Sequence, residues 1–444
     1  MNGAGLLLAL GLGALMLSLP RRFAPIPLLI GALLMTRSSV LEIGPADFSA
    51  LRLLVAVGFV RAVCRGETVS KGFNAVDRLM ILWAVVLIGT SAFHTSDAWV
   101  FRAGLVGDVL GTYFLFRMFI GDPQDVERAL RALCMILLPL AVLMLAEKLT
   151  GENPFSVLGG VPETSSVRNG QIRATGSFAH PILAGTVAAT SLFMAIYVLR
   201  RHWLAGTIGL FSSLAILYAC TSSGPIMMAL FILFGMLLWR LRQYLILGRW
   251  LAFALTVLLA MVMKDPVYFL IARVDITGGS QGYYRAQLIR SSIQHLDEWW
   301  AAGTDYTRHW MHSGIYANAN HADITNHILA MGVMGGLPLM IVFVLMLVAA
   351  FRAVDHALRA SDNAPKHQLF LIWTLGALLF GHIVNFVSIS LFDQSIVFFN
   401  LVLAAIGAVQ VAASVRPEVA DAQRPAPVRP LASVTPEWRE RMMR

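Results

Sequence analysis

Charged residues are scarce in this chain. Asp, Glu, Lys and Arg make up 13% of its 444 residues, whereas 57% belong to the hydrophobic class. An average soluble domain carries about 25% charged residues, so this composition excludes an ordinary soluble enzyme. A bilayer core of about 30 Å needs about 20 apolar residues per helix, and runs near that length recur throughout the sequence. The sequence therefore predicts an all-α integral membrane protein.

Cysteine is also scarce, and the amino terminus lacks a basic segment. Cys64, Cys134 and Cys220 lie in or beside apolar runs without paired spacing, which indicates neither a disulfide framework nor a zinc site. The first apolar run is followed by Arg21 and Arg22, which reverses the charge order of a cleavable signal peptide. We therefore expect this run to be retained as the first helix.

Thirteen apolar runs are candidate membrane spans, or twelve if the first two form one re-entrant hairpin. They cover residues 4–19, 24–38, 48–64, 79–94, 104–120, 130–148, 181–199, 204–220, 225–241, 249–263, 327–350, 368–388 and 394–413. We expect a bundle of about 12–13 transmembrane helices with a large, partly helical loop. Its predicted parts are an N-terminal bundle (1–263), the large loop (264–326), the C-terminal helices (327–413) and a disordered cytoplasmic tail (414–444).

Basic residues predict how the chain is oriented. The net charge of +9 would suggest a nucleic-acid partner in a soluble protein, but here Arg and Lys are concentrated in every second connection between apolar runs. Such connections are cytoplasmic, so we expect no nucleic-acid partner and a multi-pass inner-membrane protein. The polar loops 149–180 and 264–326 then both face the periplasm or exterior. The second, which we call the cap loop, contains Trp299-Trp300 and an amphipathic stretch at about 284–298, and we expect it to be folded.

The residues suited to chemistry lie in these two loops. The first loop ends in Arg173-Ala-Thr-Gly-Ser-Phe-Ala-His-Pro181, and the cap loop contains Arg285 and three histidines, His312, His321 and His327. Plainer interpretations exist, because an arginine at a helix end can anchor it at the headgroups and loop histidines can be ordinary polar residues. The histidine spacings form no metal-ligand motif, so we expect no metal and no other cofactor.

Three of these elements together resemble the O-antigen ligase and polymerase superfamily of GT-C type bacterial membrane glycosyltransferases. The family segment Arg-x-x-Gly-x-Phe-x-x-Pro matches Arg173 to Pro181, and the family's arginine-bearing helix matches Arg285 with the following Trp300-Ala-Ala-Gly303. The family's loop histidine, followed about ten residues later by Gly-x-x-Gly, matches His321 and Gly332-x-x-Gly335. These elements occur in the family's order. Two departures are Ala322, where ligases have Asn, Ser or Gln, and Ser223-Gly224-Pro225, where a Ser-Arg pair is common.

The resemblance implies a metal-independent, inverting glycan transfer from an undecaprenyl-diphosphate carrier to an acceptor hydroxyl. His321 would be the general base, and Arg173 and Arg285 would stabilise the diphosphate leaving group. These three are the expected catalytic residues, converging on one periplasmic cavity open to the bilayer. The expected substrate-binding residues are Arg290, His180 and His327.

Several functions remain open from the sequence. Ala322 favours a polymerase of O-antigen or exopolysaccharide over a ligase that attaches the glycan to the lipid A core, and a protein O-oligosaccharyltransferase shares the same pattern. The alternatives from other classes are a polysaccharide transporter and an assembly subunit, although a transporter would spread buried charges through its spans.

Within the spans, we expect Asp108 to pair with Arg102 or Arg117. His382 and Asn385 are expected to form interhelical hydrogen bonds.

Overall fold

The computed structural model describes residues 2–36, 39–43, 46–70, 72–273, 281–311, 317–361 and 364–422. This part of the chain is mostly helical and contains two short antiparallel hairpins. The helices are α1 (Gly3–Ser18), α2 (Pro25–Leu34), α3 (Ala50–Arg65), α4 (Ala75–Thr90), α5 (Ser96–Phe119), α6 (Pro123–Thr150), α7 (Pro181–Leu199), α8 (Trp203–Cys220), α9 (Ser223–Leu237), α10 (Leu245–Val262), α11 (Gly282–Gln294), α12 (Leu296–Trp299), α13 (His327–Ala360), α14 (Lys366–Phe386) and α15 (Ile396–Ala422). The strands are β1 (Val40–Ile43), paired with β2 (Ala46–Ser49), and β3 (Ser166–Arg168), paired with β4 (Gln171–Arg173).

Each of the thirteen apolar runs overlaps one helix, and the two remaining described α-helices, α11 and α12, belong to the cap loop. Among the described residues, nine helical segments are long and apolar enough to cross a membrane, with α9 and α10 forming one segment of 40 residues, Ser223–Val262. The protein is thus a multi-pass helical membrane protein, while the number of 12–13 spans stays a prediction. α15 continues to Ala422, and because residues 423–444 lie outside the described part, disorder of the tail also stays a prediction.

Contacts between the connections divide the bundle into two ends. At one end, Arg21 donates a hydrogen bond to Met118 O at 2.8 Å, and Arg201 pairs with Glu127 at 2.9 Å. At the other end, the Thr36 hydroxyl donates to Gly159 O at 2.6 Å. The basic connections meet at the first end, which we call the basic end, and the loop 149–180 and the cap loop meet at the other, the cap end. This is the grouping that the charge pattern predicts.

The predicted partners of Asp108 are wrong. Asp108 pairs with Arg52 from the start of α3, with distances of 2.9 and 3.1 Å between the guanidinium and the carboxylate. Arg117 lies roughly 13 Å further along α5, at 1.5 Å per residue, and therefore does not reach Asp108. It pairs instead with Asp77 of α4 at 2.8 and 3.0 Å, where both side chains are fully buried. Arg102 donates to Ser91 at 3.3 Å.

The predicted interhelical hydrogen bonds of His382 and Asn385 are confirmed. His382 Nε2 lies 3.1 Å from the Thr190 hydroxyl, and the Asn385 amide donates to the Thr186 hydroxyl at 2.9 Å. Both bonds connect α14 to α7. They give buried polar groups partners where lipid offers none.

The cap loop docks on a break in α13. Gly335 and Gly336 leave helical geometry, and Gly336 has φ +73°. In a continuous helix the Leu337 N–H would donate to Val333 O. Here Val333 O accepts from the Thr304 N–H at 2.9 Å, and the Leu337 N–H donates to Trp300 O at 2.8 Å. The cap backbone therefore satisfies both of these groups.

An apolar core on the cap side supports this docking. It combines cap-loop side chains with side chains from the first turns of α13, and its buried members are Tyr284, Leu288, Trp299, Trp310, Met311, Ala322, Leu329 and Val333. Gly332 lies against the Trp299 ring so closely that a Cβ there would be 2.5 Å from a ring carbon. The Gly332-x-x-Gly335 element of the sequence is thus the surface that receives the cap loop.

Replacing Gly336 by Ala is expected to destabilise the protein. The substitution puts a side chain at φ +73° and a Cβ 2.5 Å from the Ala301 carbonyl, and such backbone strain alone costs about 1–3 kcal/mol. We expect a lower unfolding temperature in detergent and faster proteolysis of the cap loop. Gly248→Ala in α10 is the matched control, since a Cβ there meets nothing within 4 Å. Equal unfolding temperatures for the two variants would contradict the docking role.

Candidate functional site

Arg173 and Arg285 line one cavity of about 70 Å³ at the cap end. Arg173 ends β4, and Arg285 lies in the first turn of α11. The remaining wall is polar, with one apolar side chain, and consists of Arg168, Asn169, Gln171, Ile182, Thr221, Ser222, Ser223 and Gln281. Three guanidinium groups and several hydroxyl and amide groups therefore surround a space without a carboxylate among its described lining residues.

The guanidinium groups of Arg173 and Arg285 are buried, and no salt bridge joins either of them to an acidic residue in the described part of the chain. Their residues are 8% and 9% exposed, and the Nε of each has no hydrogen-bond partner in the described part of the chain. Burial lowers the pKa of Arg173, and Arg168 lowers it further. Burial and Arg168 likewise lower the pKa of Arg285, whereas Asp323 opposes this. Since the ordinary pKa of an arginine lies far above physiological pH, both stay charged, and the site favours an anion.

Glu147, at the end of α6, holds the loop that carries Arg173. Its fully buried carboxylate accepts hydrogen bonds from the Thr175 and Gly176 N–H groups, each at 2.8 Å, and from the Ser165 hydroxyl at 2.8 Å. Gly176 has φ +61° and packs against α6, so that a Cβ there would lie 2.9 Å from Met144. Sequence reasoning missed Glu147. The sequence signal that could have identified it is an acidic residue in the last turn of a long apolar run.

Lys148 fixes the other side of the same loop. Its ammonium group donates to Ile172 O, next to Arg173, and to the Thr221 hydroxyl at 2.6 Å. Ala174 N–H donates to Ala219 O at 3.0 Å, which joins the loop to the end of α8. The position of Arg173 is therefore set from α6 and α8 together.

Asp323 connects the cavity to the segment that contains His321. Its backbone carbonyl accepts a hydrogen bond from the Tyr284 hydroxyl at 2.9 Å. Burial raises the pKa of the Asp323 carboxyl, and the neighbouring Arg285 opposes that rise. Sequence reasoning gave Asp323 no role, although it stands two residues after His321.

His321 lies at the cap end but is not among the cavity's lining residues. Its Nδ1 is 3.2 Å from the Thr307 hydroxyl, which also accepts from the Ala322 N–H at 3.1 Å. Burial lowers the pKa of His321, and Asp305 opposes this. The structure thus brings Arg173 and Arg285 together and leaves His321 on the adjoining segment, connected to Arg285 through Asp323.

His180 adjoins the arginines as the residue before α7. Its Nδ1 accepts a hydrogen bond from the Ile182 N–H at 3.2 Å. Burial, then Arg173 and Arg168, lower the pKa of His180 to about 4. His180 is therefore neutral at physiological pH, and it adds no positive charge to the cluster.

Arg290 and His327 lie away from the cavity. Arg290 pairs with Asp265 at 3.2 Å, and its guanidinium lies 4.2 Å from the centre of the Phe269 ring. His327 begins α13 inside the bundle, where its Nδ1 accepts from the Leu391 N–H at 3.2 Å. Neither residue lines the cavity. His312 lies outside the described residues.

Two short side-chain contacts of His94 fasten the cap loop to the bundle beside this site. His94 Nδ1 lies 2.6 Å from the Asp305 carboxylate, and His94 Nε2 lies 2.8 Å from Ala302 O. Burial opposes ionisation, but hydrogen bonds from His94 and the Thr95 N–H lower the pKa of Asp305.

Glu147→Gln is expected to loosen the loop 149–180. A glutamine amide has one acceptor oxygen, so one of the N–H groups of Thr175 and Gly176 loses its partner, at a cost of about 1–3 kcal/mol. Thermal unfolding and limited proteolysis of the loop measure this effect. Glu152→Gln makes the same change at an exposed position in that loop and should have little effect. Equal losses in the two variants would refute the anchoring role of Glu147.

The chain matches no protein-family model and no curated protein. The resemblance to the O-antigen ligase and polymerase superfamily therefore depends on the three motifs alone. The function has to be inferred from the residues around the cap-end cavity.

Proposed function

We propose that the protein is a membrane glycosyltransferase that transfers or polymerises an undecaprenyl-diphosphate-linked glycan at the periplasmic face of the bacterial inner membrane. The observation that carries this proposal is the pair of buried guanidinium groups, Arg173 and Arg285, in one cavity whose described lining residues include no carboxylate. Their match to the family motifs supports it. The acceptor is the end of a second glycan in a polymerase, or the lipid A core in a ligase.

The cavity suits a lipid diphosphate as the leaving group. Arginine presents planar donors that match phosphate oxygens, and its charge persists at every physiological pH. Ser222 and Ser223 place the first residues of α9 on the cavity wall, and no side chain caps that helix start. A helix N-terminus favours anions. These groups stabilise the negative charge that grows on the diphosphate as the glycosidic bond breaks.

His321 is the general base of the proposal. When its Nδ1–H donates to the Thr307 hydroxyl, Nε2 keeps a free lone pair that takes the proton of the acceptor hydroxyl. The acceptor oxygen then forms the new bond to the anomeric carbon, while the bond to the diphosphate breaks and the lipid diphosphate leaves. Such a base contributes roughly 10²- to 10⁴-fold. Because His321 is outside the cavity lining, the acceptor has to occupy the space between the 321–323 segment and the arginines.

The acceptor class is inferred from one residue. Ala322 stands where ligases carry a polar residue, which favours a polymerase. Its backbone N–H donates a hydrogen bond to the Thr307 hydroxyl. A ligase and a protein O-oligosaccharyltransferase would use the same donor chemistry. Other polysaccharide-assembly proteins are the proposed partners of a polymerase in the membrane.

Arg285→Gln is expected to reduce glycan transfer at least 100-fold, because removing one electrostatic donor from a developing charge typically costs about 10²- to 10³-fold. The measurement uses purified protein and an undecaprenyl-diphosphate glycan from its own pathway. Arg290→Gln is the matched control, since Arg290 is on the same helix but pairs with Asp265. A ladder of products indicates a polymerase, and a single product indicates a ligase. Equal activities of the two variants would overturn the site assignment, and an inactive wild type would favour a transport or assembly role.

The pH profile is expected to report His321. Burial lowers its pKa, so the neutral imidazole persists to a pH below the ordinary value of about 6.5. We expect kcat/KM to be constant around pH 7 and to fall in acid with a midpoint below about 6.5. In His321→Ala, the residual activity should lack this acid limb. An unchanged acid limb in that variant would assign the titration to another group.

A further inference from the structure

Three metal-ligating side chains meet on the cap loop, away from the arginine cavity. His295 follows α11, Glu298 lies in α12, and His309 lies in the 3-10 turn Arg308–Trp310. Each offers one ligand atom, and these atoms lie within 4.8 Å of one another. His309 Nε2 is 3.0 Å from Glu298 Oε1. The sequence did not predict this cluster, because its third member is distant from the other two along the chain.

Hydrogen bonds orient two of the ligands. His295 Nδ1 lies 2.8 Å from Ser291 O, so this nitrogen carries the hydrogen and Nε2 keeps its lone pair. Glu298 Oε2 accepts from the Trp310 indole N–H at 3.0 Å, so Oε1 is the oxygen that faces His309 Nε2. Histidine and carboxylate ligands in metal sites are held by outer partners of this kind.

Aromatic rings hold the two imidazoles in place. Trp310 stacks on His295 with ring centres 5.8 Å apart, and Tyr306 stacks on His309 at 5.2 Å. The two imidazole rings lie edge to face at 5.0 Å. The rings are therefore positioned before any ion binds, so binding costs little side-chain conformational entropy.

We propose that His295, Glu298 and His309 bind one divalent transition-metal ion, with Zn²⁺ as the best fit. Two imidazole nitrogens and one carboxylate oxygen are a zinc ligand set, with water as the fourth ligand. Zinc–ligand bonds of about 2.0–2.2 Å put tetrahedral ligands roughly 3.3 Å apart, and the 3.0 Å between His309 and Glu298 is close to that spacing. Ca²⁺ and Mg²⁺ prefer oxygen ligands and fit less well.

The ion has a structural role, because the cluster connects the α11–α12 segment to the turn that precedes the His321 segment. Thr307, two residues before His309, contacts His321 Nδ1, and the Thr307 and Arg308 N–H groups both donate to Asn320 O at 3.0 Å. Binding fixes this turn relative to Trp299 and Trp310 in the cap-side core. The proposed sugar transfer therefore stays metal-independent in its chemistry, and the ion stabilises the loop on which His321 depends.

Metal binding to the purified full-length protein tests this proposal directly. Any affinity tag is removed, the protein is treated with a chelator and dialysed, and Co²⁺ and then Zn²⁺ are titrated with absorption spectroscopy and elemental analysis. We expect one ion per chain and the visible absorption of tetrahedral Co²⁺. His309→Ala and Glu298→Gln should each weaken binding at least tenfold. His356→Ala, an exposed histidine near the basic end of α13, is the matched control and should bind as the wild type does.

Unfolding temperatures separate lost binding from lost folding. Zn²⁺ should raise the unfolding temperature of the wild type and of His356→Ala, because a ligand that binds only the folded state stabilises it. It should not raise that of His309→Ala or Glu298→Gln, whose metal-free unfolding temperatures should stay close to that of the wild type. Absence of metal binding by the wild type, or unchanged affinity in both ligand variants, would overturn the proposal. Neither result depends on whether the protein transfers a glycan.

Discussion

In α13, the hydrogen bond that Leu337 would give to Val333 is replaced by two hydrogen bonds to the cap loop. A helix inside a membrane keeps its backbone groups satisfied, because lipid supplies no partners. The break at Gly335 and Gly336 therefore requires the cap backbone, and the cap loop requires the break. From Thr304 the chain continues to Asp305, which His94 holds, and then to Thr307, which contacts His321. The position of the proposed base follows from this single exchange of hydrogen bonds.

The charge arrangement at the cap end separates binding groups from supporting groups. Glu147 is buried near Arg173, but its carboxylate oxygens accept from the Thr175 and Gly176 backbone rather than from an arginine. The guanidinium groups of Arg173 and Arg285 are thereby left for a ligand. Repulsion from Arg168 acts on both of these cations, so an anion that enters gains both hydrogen bonds and relief of that repulsion. This is the electrostatic condition expected for a diphosphate site.

The helices could be predicted from the sequence because each span is a local apolar run whose length the bilayer fixes. The apolar run at 181–199 coincides with α7 from end to end. Pairings between helices depend on which faces pack together, so the Arg52 partner of Asp108 was not accessible to sequence reasoning. The same limit applies to the site. Its arginines follow from motifs, and Glu147 stands out in the sequence only as an acidic residue near the end of an apolar run, whereas the role of Asp323 and the distance of Arg290 from the cavity follow from packing.

The shared core of the cap loop and α13 has a consequence for how the protein is made. Leu329 and Val333 belong to the same core as Trp299 and Trp310, yet they emerge from the ribosome after the cap loop. The cap loop therefore finishes folding only when α13 is inserted, and assembly of the cap end is coupled to insertion of the helix that follows it. An excised cap-loop fragment would lack both its core partners and the backbone groups on which it docks.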